Sequence, residues 1–113
     1  MKIHSHIERH TYDGEESWII TIEAKVGDDD ILFTFAPEYS GTAEDWKNLT
    51  IACEIEDMNS YLSDGGDCQI SVNNKYVFFE LSRHGDGYGG DVEIMVPKKL
   101  CIDAFKHIYE TMS

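Results

Sequence analysis

The sequence predicts an α+β fold: an antiparallel sheet of about six strands with two helices packed on one face, in the order βββα-βββα. Two observations predict it. Apolar residues alternate with polar ones in six segments and recur at intervals of three and four in two others. Gly, Asp, Asn and Pro gather where one segment gives way to the next.

In the first segment Ile3, Ser5 and Ile7 alternate with His4, His6 and Glu8. Trp18, Ile20, Ile22, Ala24 and Val26 mark one face of the second, and Ile31, Phe33 and Phe35 mark the third. Turn formers at residues 12–16 (YDGEE) and 27–30 (GDDD) separate them, so a three-stranded antiparallel meander is expected, ended by Pro37. The period then lengthens. Thr42 followed by Asp45 reads as an N-cap with an acid at the third helical position, which meets free backbone N–H groups and the helix dipole. Trp46, Leu49, Ala52, Cys53, Ile55, Met58 and Leu62 continue at helical spacing, so a helix from about Ala43 to Leu62 is expected, ended by Asp64-Gly65-Gly66-Asp67.

Alternation resumes with Cys68, Ile70 and Val72, turns at Asn73-Asn74, and returns through Val77, Phe79 and Leu81. After a glycine-rich loop, Val92, Ile94 and Val96 form the sixth strand. Pro97 suits the first turn of a closing helix, where its missing N–H costs nothing, and Cys101, Ala104, Phe105, Ile108 and Met112 form its apolar stripe.

A chain of 113 residues is one domain, 1–113, and 42% hydrophobic content supplies its core. The charge is the outlier: 22 acidic against nine basic residues leave −13. Such a field repels nucleic acid, anionic membranes and free phosphates, and it steers a basic partner inward. Three cysteines, Cys53, Cys68 and Cys101, form no C-x-x-C pair and imply neither a zinc site nor a disulfide scaffold. The start, MKIHSHIERH, lacks the apolar run of a signal peptide, and no stretch approaches the roughly 20 apolar residues of a membrane span. A cytoplasmic, reduced setting is expected.

Residues 85–90, GDGYGG, fit G-x-G-x-x-G. A dinucleotide site needs a helix directly after this motif to hold the pyrophosphate, and here a strand follows, with Asp86 and Asp91 repelling phosphate. The loop is therefore read as a hairpin connection with Tyr88 at its tip as a contact element. His4, His6 and His10 share one strand face, but His6 and His10 lie about 13 Å apart along a straight strand, too far to share an ion. A solvent-facing polar row is the plainer reading. The cysteines fall on apolar faces, where inert thiols belong, and no nucleophile sits at a sharp turn, so no enzyme, cofactor or metal site is expected.

Acids crowd the turns: Asp28, Asp29 and Asp30 at the second, Asp64 and Asp67 at the helix exit, Asp86 and Asp91 at the glycine loop. Singly each is a turn former; together they build a negative rim. If Val77, Phe79 and Leu81 face the helices, Tyr76, Phe78 and Glu80 point outward, with Ile19, Leu32 and Met95. Aromatic residues beside carboxylates have the composition of a protein-binding patch, unless a loop or a second copy of the chain, as a homodimer, covers them.

The C-terminal run VNNKYVFFELSRHGDGYGGDVEIMVPKKLCIDAFKHI, together with the YDGEESWIITI hairpin, resembles small immunity proteins of bacterial polymorphic-toxin and contact-dependent growth inhibition systems. The likeness lies in a strand followed by SRHGDGYGGD, an alternating strand, and Pro97, Cys101 and Phe105 leading a terminal helix. It implies a protein that neutralises a cognate toxin, often a basic nuclease, by stoichiometric occlusion, with no direct contact to nucleic acid. The same physics would serve an acidic nucleic-acid mimic of the anti-CRISPR or anti-restriction type, which is the alternative reading. The expected contact residues are Asp28, Asp29, Asp30, Asp64, Asp67, Tyr76, Phe78, Glu80, Asp86, Tyr88 and Asp91.

Overall fold

The computed structural model describes residues 1–35, 40–63, 68–85 and 87–113, with the backbone alone for Arg83, His84, Gly85 and Tyr88. Strands β1 (Lys2–Tyr12) and β2 (Glu15–Val26) meet at Asp13 and Gly14, which hold φ of 51° and 80°. Two successive positive φ values give the turn a twist that matches the strands, and Asp-Gly tolerates it best. The next turn, Gly27-Asp28, leads to β3 (Asp29–Phe35), with Gly27 at φ 64°. The expected meander is present: an antiparallel sheet ordered β1-β2-β3. Pro37, expected to end it, lies outside the described residues.

Helix α1 (Ala43–Glu54) starts as its sequence implies. The Thr42 hydroxyl accepts from the Asp45 backbone N–H at 3.2 Å, and the Asp45 carboxylate accepts from the Thr42 backbone N–H at 2.8 Å. The helix ends eight residues earlier than expected, at Glu54 rather than Leu62. Ile55 is already extended, and Asp57 adopts the left-handed conformation at φ 61°, which closes off the helix. Leu62 then belongs to a strand, β4 (Ser60–Ser63), opposite Ile70 of β5 (Cys68–Val72). Strands β6 (Tyr76–Gly85) and β7 (Tyr88–Pro97) complete a second antiparallel sheet ordered β4-β5-β6-β7.

The architecture is therefore α+β as expected, but with two sheets of three and four strands in place of one sheet of six. Pro97 also differs from its expected place. It ends β7, and a single 3-10 turn at Lys98–Leu100 intervenes before α2 (Ile102–Met112). A proline is tolerated there because β7 is an edge strand. Among the described residues no helix is long and apolar enough to cross a membrane.

The core joins both sheets to both helices through a chain of aromatic rings. Phe33 stacks on Phe79 at 5.3 Å, Phe79 meets Phe105 at 6.2 Å, Phe105 meets Trp46 at 5.7 Å, and Trp46 meets Phe35 at 5.6 Å. Ile20, Ile22, Leu49, Ile70, Val77, Val96 and Ile108 are buried around them. The Ser5 hydroxyl donates to the Ala104 carbonyl at 2.7 Å and pins α2 to β1. Leu81, expected among these residues, is 38% exposed; it and its partner Val92 lie beyond the packed part of the β6–β7 hairpin.

Candidate functional site

With the aromatic chain claiming one face of the four-stranded sheet, alternation sends the other residues of each strand outward. Register aligns them into two rows. Tyr61, Ser71, Phe78 and Met95 form one, and Ser63, Gln69, Glu80 and Glu93 form the next. Tyr61 and Met95 are 61% and 51% exposed, and Phe78 is half-buried. The first row is thus an apolar and aromatic strip lying beside a polar, acidic one.

The acidic row is organised by side-chain hydrogen bonds. The Tyr61 hydroxyl donates to Gln69 Oε1 at 3.0 Å, and Gln69 Nε2 donates to Glu80 Oε2. Glu80 stands opposite Glu93. The Lys98 backbone N–H bonds the Lys75 carbonyl at 3.2 Å, which makes that position a hydrogen-bonded one. Alternation along the ladder then places Tyr76/Pro97, Phe78/Met95 and Glu80/Glu93 at non-bonded positions. Pro97, with no N–H to give, fits that assignment. Facing Cα atoms at such positions approach to about 4.5 Å, so the Glu80 and Glu93 side chains are forced together. The hydrogen bond to Glu80, then desolvation, then the repulsion of Glu80 raise the Glu93 carboxyl from its ordinary value.

The expected contact residues separate in space. Tyr76, Phe78, Glu80 and Asp91 all lie on this outer face. Ile19 and Leu32, expected beside them, belong to the other sheet, so the outward apolar residues form two separate surfaces. Asp28 occupies the β2–β3 turn, and Asp29 and Asp30 begin β3, with Asp30 opposite Lys25. Asp64, Asp67 and Asp86 lie outside the described residues, as does the side chain of Tyr88, whose backbone opens β7. The glycine loop is a strand-turn-strand hairpin: Gly89 and Gly90 pair with His84 and Arg83 within the ladder, and no helix follows. Sequence reasoning missed Tyr61, Gln69 and Glu93. Tyr61 was hidden by the overlong helix, and the opposition of Glu93 to Glu80 follows only from register.

Among the described residues no three His, Cys, Asp or Glu side chains come together to hold a metal ion. The His6 imidazole instead lies 3.6 Å from Glu23 on the outer face of the three-stranded sheet. Cys53, Cys68 and Cys101 stand outside any disulfide, and all are buried. Burial pushes the Cys53 thiol up to about 12, against a small opposing pull from the Lys98 ammonium, and raises Cys101 further. Native protein at pH 8 is expected to leave all three unlabelled by a thiol reagent within minutes, and to label fully in denaturant. Fast labelling of the folded protein would contradict the packing described.

A cleft of about 380 Å³ opens where the end of α1, the β5–β6 turn and the β7–α2 junction meet, lined in part by Ile55, Lys75, Pro97, Lys98 and Ile102. Its floor is structural, because Lys98 spends its ammonium on the carbonyls of Ile55 and Met58 at 2.8 and 3.2 Å. Comparison of the chain with protein-family models, with curated proteins and with solved structures finds no match in any of the three.

Proposed function

We propose that the protein is an immunity-type inhibitor that binds a basic toxin domain, a nuclease in the simplest case, and blocks it by occlusion in a stoichiometric complex. The observation that carries this reading is the outer face of the four-stranded sheet, where an exposed aromatic strip borders a hydrogen-bonded acidic row. Association gains from burying Tyr61, Phe78 and Met95, while the net charge of −13 accelerates encounter with a cationic partner. The acids would meet the lysines and arginines that a nuclease presents to phosphate.

The test is survival of cells expressing the C-terminal toxin domain encoded beside this gene, with and without this chain. Rescue is expected, together with a 1:1 complex that weakens as salt rises. Phe78→Ala is expected to cost that complex about 2 kcal/mol or more, roughly 30-fold in Kd, as anchor residues do. Far-UV circular dichroism would show the variant folded. Toxicity without rescue, or undiminished binding by Phe78→Ala, would overturn the assignment of partner or of surface respectively.

A further inference from the structure

The cleft at the end of α1 sorts its charges by wall. The α1 exit brings Glu54 and Glu56, while Lys75 comes from the β5–β6 turn and Lys99 from the β7–α2 junction. The bond from the Lys98 backbone N–H to the Lys75 carbonyl makes that turn and that junction one wall. Ile55 gives the acidic wall an apolar surface, and Pro97 and Ile102 do the same for the basic wall. All four of these charged side chains are exposed, and none of them makes an ion pair among the described residues. The walls are tied at the floor instead, by the Lys98 ammonium on the carbonyls of Ile55 and Met58. Opposite charges on two walls, joined below and unpaired above, leave space for a ligand with complementary charges at its two ends.

We infer that the cleft binds a small zwitterion whose ammonium and carboxylate are separated by an apolar stem. The ammonium meets Glu54 and Glu56, the carboxylate meets Lys75 and Lys99, and the stem lies against Ile55, Pro97 and Ile102. This site does not depend on the reading of the protein as a toxin inhibitor.

Charge, volume and spacing select this class. A chain at −13 repels a simple anion at long range, whereas a net-neutral ligand arrives without that penalty. Three of the nine cations line this cleft, so its basic wall is a local exception that can still hold a carboxylate. The volume of about 380 Å³ lies near the lower end of small-molecule pockets, roughly 300–1,000 Å³, and suits a ligand of several carbons. A compact α-amino acid carries both charges on one carbon and reaches one wall; separated charges reach both. An ω-amino acid and an apolar dipeptide share this chemistry, the dipeptide through its two free termini.

The probes are ε-aminocaproate and leucyl-leucine, titrated into the isotope-labelled full chain and followed by the backbone amide shifts of Ile55, Lys75 and Ile102. Their single-charge analogues serve as comparisons: caproate and hexylamine for the first, acetyl-leucyl-leucine and leucyl-leucine amide for the second. At least one probe is expected to shift these amides and to bind about fivefold more tightly than either of its analogues, the upper range for a partly exposed charge pair. The tighter of the two probes identifies the source. Glycine is expected to leave the spectrum unchanged. Lys75→Gln combined with Lys99→Gln is expected to reduce the better probe to the affinity of its amine analogue. Glu54→Gln combined with Glu56→Gln reduces it to that of its carboxylate analogue, and Lys2→Gln, on β1, changes neither. These side chains are exposed, so the variants keep the fold, which far-UV circular dichroism checks. Absence of shifts with both probes would overturn the site. Single-charge analogues binding as tightly as the zwitterions, or an equal loss in Lys2→Gln and the paired lysine variant, would mean diffuse attraction and would overturn it as well.

Discussion

Replacing Trp46 with alanine is expected to destabilise the protein by about 3–5 kcal/mol, in the range of buried aromatic truncations. Trp46 is fully buried, and its ring contacts both Phe35 of β3 and Phe105 of α2. Its indole N–H also donates to the Ser40 carbonyl at 2.7 Å, holding the approach to α1 against the helix. The alanine variant therefore loses edge contacts to two rings, creates a cavity between a sheet and a helix, and removes a donor. Domains of this size have roughly 5–15 kcal/mol to lose, so the variant sits near the threshold of folding at 37 °C. Trp46→Phe separates the contributions. It keeps an aromatic ring and gives up the hydrogen bond with part of the volume, for a cost of about 1–2 kcal/mol. Urea unfolding followed by far-UV circular dichroism measures both. Equal losses in the two variants would show that the hydrogen bond, not the ring chain, carries the effect; a loss below 1 kcal/mol in Trp46→Ala would remove Trp46 from the centre of the core.

That core was legible wherever one local signal decided the outcome. Alternation marked Ile20, Ile22, Phe33, Phe35, Ile70, Val77 and Phe79 as inward, and all are buried. Asp13-Gly14 announced a tight turn, and Thr42 with Asp45 announced the start of α1. The end of α1 was ambiguous because Ile55, Met58 and Leu62 satisfy helical spacing while Ser60-Tyr61-Leu62-Ser63 also satisfies alternation. Asp57, Asn59 and Ser60, poor helix formers in close succession, favoured the break, and the pairing of Leu62 with Ile70 decided it. The division into two sheets was not legible, because nothing local says whether β3 pairs with a later strand. The candidate site suffered from the same limit. Tyr76, Phe78 and Glu80 were correctly placed outward by parity, but a row across four strands exists only once every register is known.

Least legible of all is the tie between Lys98 and the end of α1, two segments 43 residues apart, and its removal is expected to have the second largest effect on stability. The last turn of α1 contains no basic residue, so its carbonyl end lacks the cation that would oppose the helix dipole. Lys98, 6% exposed, supplies that cation from beyond β7 and bonds the carbonyls of Ile55 and Met58. Lys98→Met keeps the length and apolar stem but gives up the donors. Two effects then compete. Burying an ammonium against carbonyls rather than a carboxylate is expensive, and losing it relieves that cost. Against this, both carbonyls remain where they are and lose their partner, at about 1–3 kcal/mol for each group left unsatisfied in the interior. Ile55 and Met58 are themselves partly exposed, so water recovers some of that loss. The expected net cost is about 2 kcal/mol, placed by hydrogen exchange in the last turn of α1 and residues 55–58 rather than spread over the core. Lys98→Ala adds the missing stem to the same loss and is expected to cost about 1 kcal/mol more. A methionine variant as stable as the natural protein would mean that the relief of a buried charge balances the two abandoned carbonyls, and that Lys98 closes the helix without strengthening the fold.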